Sequence, residues 1–140
     1  MQSGKSTPKT VLIVDDVPYV RKTMKQILVS HGYKIVGEAE SGRDAVRLYE
    51  EVRPDVVTMD LVMPVMNGVE ATRAILQIDP EAKIIILSAM LQENLVTEAI
   101  HAGAKDYIVK PFHTEEVLRV LSAVAGERAP HRINATGGAA

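Results

Sequence analysis

The chain has 140 residues, 46% of them hydrophobic and 24% charged, and a net charge of −2. That length suits one domain around one core, and the near-neutral charge excludes a polybasic binder of nucleic acid or membrane surfaces. The absence of cysteine excludes disulfides and thiolate metal sites, and no apolar run approaches the ~20 residues that span a bilayer.

Residues 1–9 are polar and aperiodic, which predicts a flexible tail. The opening "MQSGKSTPKT" has no apolar stretch of signal-peptide type, so a cytoplasmic protein is expected. "TVLIVDD" (10–16) then reads as a strand running into two acids. "PYVRKTMKQILVSHG" (18–32) is helical. Val20, Met24, Ile27 and Leu28 share a face, Pro18 suits the first turn and Gly32 the stop. "YKIVGEA" (33–39) is a second strand whose end, Glu38-Ala39, suggests no role.

Ser41 is expected to cap "GRDAVRLYEEV" with Asp44 as its capping-box partner, and Arg53-Pro54 to stop that helix. "DVVTMD" (55–60) is a third, buried strand ending on a carboxylate. Asn67 suits the cap of "GVEATRAILQI" (68–78). "KIIILSA" (83–89) is too apolar to alternate, so both its faces are buried. "ENLVTEAIHAG" (93–103) is a helix stopped by Gly103, and "DYIVKP" (106–111) is the fifth strand. Thr114 is placed as the cap of a last helix, 115–124. Residues 125–140 mix Gly, Ala, Pro and charge, which predicts a second flexible tail. The packed unit therefore spans 10–124.

Five strand–helix units in series predict an α/β fold, a parallel sheet covered by helices on both sides. Ligands of such sheets sit beyond the C-terminal strand ends, where the strand order reverses. Those ends carry Asp15-Asp16, Asp60, Ser88 and Lys110. Singly each is unremarkable, since an Asp-Asp pair is a common turn and a strand-end Ser or Lys means little. Together they place three carboxylates, a hydroxyl and an ammonium on one sheet edge. Three acids repel one another, and a hard cation such as Mg²⁺ relieves the conflict with oxygen ligands. Asp15 and Asp16 suit the metal, Asp60 can meet both metal and electrophile, and Lys110 and Ser88 can bind phosphoryl oxygens. These are the parts that phosphoryl transfer onto a carboxylate requires.

The stretches "VLIVDD", "GEAESGRDAV", "PDVVTMDLVMPVMNGVEA", "IIILSA" and "AGAKDYIVKPF" resemble, in order and spacing, the receiver domain of bacterial two-component response regulators, particularly its stand-alone chemotaxis members. The resemblance implies a doubly wound, flavodoxin-like fold with five helices and sheet order 2-1-3-4-5. It also implies that Asp60 is a phosphoacceptor served by a histidine kinase. Asp15, Asp16, Asp60 and the Val62 backbone carbonyl would hold Mg²⁺. Ser88 and Tyr107 would form the switch pair, Lys110 would supply the site's cation, and the Lys110–Pro111 bond would be cis. Such a protein is a phosphoacceptor switch with only self-phosphorylation and autodephosphorylation chemistry, not an enzyme acting on other substrates.

Its output is expected to be protein binding by a monomer, with a flagellar motor switch component as partner and no nucleic acid or membrane involved. The alternative is a phosphorelay shuttle that passes the group to a histidine phosphotransfer protein. A phosphatase of the haloacid dehalogenase type would want an acid two residues after its nucleophile, where this chain has Val62. Asn67 and Ser88 stand where the family more often has Asp and commonly Thr. "SGKST" (3–7) lacks the leading glycine and strand of a phosphate-binding loop. The "NAT" sequon (134–136) has no secretory signal beside it. His31, His101, His113 and His131 show no ligand spacing.

Overall fold

The computed structural model describes residues 7–126. Its elements are β1 (Thr10–Val14), α1 (Pro18–Ser30), β2 (Lys34–Ala39), α2 (Gly42–Val52), β3 (Val56–Asp60), α3 (Gly68–Ile78), β4 (Ile84–Ser88), α4 (Glu93–Ala102), β5 (Asp106–Val109) and α5 (Thr114–Ala125). All strand pairs are parallel, in the order β2-β1-β3-β4-β5. This is the doubly wound arrangement that the strand–helix alternation and the resemblance predicted.

The sheet separates two cores. Met24 and Leu28 of α1 and Val117, Val120 and Leu121 of α5 pack with Val11, Ile13, Ile85 and Ile108 on one face. On the other, Ala45 and Tyr49 of α2, Val69 and Ile75 of α3 and Ala99 of α4 pack with Leu12, Met59 and Ile86. Every residue of β3 and of β4 is buried, because helices cover both sides. Each large apolar side chain so buried contributes about 2 kcal/mol.

Helix boundaries follow local chemistry, with two corrections. Asn67 and Glu70 form a complete capping box on α3. At α2 only half of the expected box forms: the Ser41 hydroxyl accepts from the Asp44 amide at 3.1 Å. The Asp44 carboxylate lies 3.7 Å from Arg47 instead, an i,i+3 pairing within the helix. At α5, Thr114 is already helical. His113 occupies the cap position without a side-chain bond, so the expected Thr114 cap is displaced by one residue. The Lys110–Pro111 bond is cis. Most of the expected tails (1–9 and 125–140), His131, "NAT" and all of "SGKST" but Thr7 lie outside the described residues. Among the described residues no helix is long and apolar enough to cross a membrane.

Candidate functional site

Strand order reverses between β1 and β3: the chain leaves β1 for β2 on one side and returns to β3 on the other. A crevice opens beyond the strand ends at such a point. Val14 pairs with Met59 in the β1–β3 register, so Asp15, one residue on, comes level with Asp60. Asp15 is fully buried, Asp60 is 7% exposed, and Asp16 faces solvent.

Asp15 Oδ1 accepts from the Val17 amide at 2.9 Å, and its Oδ2 from Lys110 Nζ at 2.9 Å. The same ammonium donates to Asp60 Oδ1 at 3.1 Å. One oxygen from each of Asp15, Asp16 and Asp60 lies within 4.8 Å of the others. The sequence-derived quartet of Asp15, Asp16, Asp60 and Lys110 is thus brought together, and among the described residues no histidine joins it.

Three carboxylates against one ammonium leave a negative pocket. Burial, followed by the Asp15 charge, pushes the Asp60 carboxyl up to about 6, against the opposing pull of Lys110. Burial alone would lower the Lys110 ammonium, but the Asp15 hydrogen bond and the charges of Asp60 and Asp15 hold it above the ordinary lysine value. An all-oxygen donor set carrying excess negative charge fits a hard divalent cation such as Mg²⁺. The Val62 carbonyl, two residues past Asp60, is the remaining expected ligand.

Ser88 and Tyr107 belong to a neighbouring wall. Ser88 ends β4, is 1% exposed and pairs with Val109, while Ile86 pairs with Tyr107. Both line a cavity of about 480 Å³ between α4 and β5, together with Met90, Val96, Ile100 and Val109. Tyr107 is 45% exposed, so its ring stands at the rim. The Lys110 amide donates to the Ser88 carbonyl at 2.7 Å, which ties this wall to the acidic pocket. Val62 and Met90 are both exposed, and neither carries a polar side chain.

One contributor was missed. β2 supplies Glu38, whose carboxylate accepts from Arg21 at 3.3 Å and from Lys25 at 3.4 Å. Arg21 also donates to the Asp15 carbonyl at 2.7 Å. The available signal was an acid at a strand end together with two cations one helical turn apart.

Residues 11–122 match the family model of the response regulator receiver domain. The chain is 53% identical over 117 residues to chemotaxis protein CheY of Thermotoga maritima, covering 84% of this chain and 98% of that protein. It is 52% identical over 116 residues to protein CcdB of Bacillus subtilis, covering 83% and 97%. Among solved structures, a chain of the CheX–CheY–BeF3–Mg complex from Borrelia burgdorferi aligns with a TM-score of 0.81 at 37% identity, covering 86% of this chain and 91% of that one.

Proposed function

The chain belongs to the response regulator receiver domain family, and we propose that it is a single-domain switch phosphorylated on Asp60 by a histidine kinase. The observation that carries this reading is the buried Asp60 carboxylate held 3.1 Å from Lys110 Nζ, with Asp15 and Asp16 oxygens within 4.8 Å. In the transfer, a carboxylate oxygen of Asp60 forms the new P–O bond as the phosphohistidine P–N bond breaks, and the electron pair leaves with the imidazole.

Asp15, Asp16, Asp60 and the Val62 carbonyl hold the metal in this reading. Bound there, Mg²⁺ would neutralise charge on the transferring phosphoryl oxygens. In this reading Lys110, 3.1 Å from Asp60, binds one of those oxygens once Asp60 carries the acyl phosphate, exchanging a carboxylate partner for a phosphoryl one. Ser88 donates to another. Its shift vacates the top of the α4–β5 cavity, and Tyr107 leaves the rim and turns inward.

The groove thereby changes shape, and a partner that prefers the new shape draws the population toward it. Phosphorylation supplies the bias with about −1.5 to −2 of added charge. The output is protein binding in chemotaxis, with a flagellar motor component as partner. Supporting this are the Thermotoga relative and the Borrelia complex, in which a CheY is paired with a second protein.

The test is incubation with acetyl phosphate and Mg²⁺, followed by intact mass. One added phosphoryl group is expected on the wild type and none on Asp60→Ala; equal labelling of both would overturn the assignment. Because neither Val62 nor Met90 can orient an attacking water, the acyl phosphate should be long-lived. Val62→Asn is expected to shorten its half-life severalfold, read by loss of label after the donor is removed.

A further inference from the structure

We infer that Arg21 is a positioning residue for the acidic pocket: its guanidinium clamps the loop bearing Asp15 and Asp16 to the end of β2. This rests on the metal-site reading above and extends it to a group that touches neither metal nor phosphoryl.

Asp15 and Asp16 lie after β1 ends at Val14 and before α1 begins at Pro18. They therefore sit outside the regular hydrogen-bond repeats that hold strands and helices. The loop is fixed by individual bonds. The Asp15 amide donates to the Ala39 carbonyl at 3.0 Å. Its two carboxylate oxygens take the Val17 amide and Lys110. Its carbonyl takes Arg21 Nη1 at 2.7 Å.

Arg21 itself is held from the far side, with Nε 3.3 Å from Glu38 and Nη2 3.9 Å from Glu40. Its side chain is only 13% exposed. One planar fork thus connects α1, the β1–α1 loop and the outer end of β2. A guanidinium can spread donors over three directions in a fixed plane, whereas an ammonium presents a single point of charge.

Charge and geometry make opposite predictions for this residue. As a cation near the pocket, Arg21 would repel an incoming divalent ion, so its removal would tighten Mg²⁺ binding. As a clamp, it keeps the carboxylates at binding separation, so its removal loosens the site. Glu38 and Glu40 offset its charge locally, which leaves the clamp as the larger effect. Loss of an orienting outer partner typically weakens metal affinity by about 10-fold or more.

The experiment is calorimetric titration of Mg²⁺ into metal-free wild type, Arg21→Met, Arg21→Lys and Arg47→Met. Arg47 is an exposed α2 residue paired with Asp44 and Glu51, and serves as the control. Both Arg21 variants are expected to bind about 10-fold more weakly, with Arg47→Met unchanged. Wild-type or tighter binding by Arg21→Met, or full rescue by Arg21→Lys, would overturn the clamp while leaving the metal site intact. Should Arg21→Met fail to fold, Arg21→Lys keeps stem and charge and decides alone. A wild type that takes up no Mg²⁺ would instead remove the metal-site reading, and the clamp with it.

Discussion

Burial costs Asp60 more than its acidic neighbours do, since desolvation is the first cause of a carboxyl raised to about 6. Between roughly pH 4 and 6 the folded protein holds a proton there that the unfolded chain, at the ordinary aspartate value, has released. Metal-free stability should therefore fall as pH rises through that window and level off above it. The full span is on the order of 2–3 kcal/mol. Asp60→Asn mimics the protonated form. Chemical denaturation should find it more stable than wild type above pH 6 by that order, with the two converging near pH 4. Val65 poses a backbone problem of its own. It is 81% exposed, β-branched, and held at φ 70°, where L side chains crowd the following carbonyl. Asn tolerates this region, so Val65→Asn should stabilise the fold by about 1 kcal/mol, measured by urea unfolding.

The turn from β3 into α3 is built on a close backbone approach. Gly68 opens α3 beneath the end of β3, and a Cβ there would collide with the Asp60 carbonyl and crowd the Leu61 Cα. The Gly68 amide also donates to the Leu61 carbonyl at 2.8 Å. Neither side can yield without moving the residue proposed as phosphoacceptor. Gly68→Ala should cost about 2 kcal/mol or more in stability and slow Asp60 labelling by acetyl phosphate, read by intact mass against time. The Asn67–Glu70 box beside it holds the same helix start. These devices were partly legible: Asn67-Gly68 after a strand reads as a cap from residue chemistry alone. Thr114 misled for a related reason. Hydroxyl caps depend on which residue is the last in extended geometry, and here that is His113 at φ −114°, ψ 147°. Composition at neighbouring positions cannot distinguish those two frames.

Over the whole molecule, a ligand that binds only the folded state raises stability by mass action, by about 2.7 kcal/mol at 100 times its dissociation constant. Saturating Mg²⁺ at pH 7.5 should therefore raise the calorimetric Tm of the wild type, with reversal by chelator and a smaller gain for Asp60→Asn. The fold that assembles this site was readable because hydrophobic periodicity is a local property. Runs such as Ile84–Ile86, buried on both faces, and stripes such as Met24 and Leu28 declare strand and helix without reference to distant residues. Polar strand ends likewise marked Asp15, Asp16, Asp60 and Lys110, since a parallel sheet collects its C-terminal ends on one edge. Contacts between elements were not readable. Arg21 meets Glu38 and Glu40 only because β2 pairs beside β1 and α1 packs across that seam. Ser88 and Tyr107 share a cavity because β4–β5 register and the position of α4 place them there. Residue order thus specified which elements form and which chemistry each strand end carries. Register, strand order and helix packing chose the partners, because those depend on distances between segments that are remote along the chain.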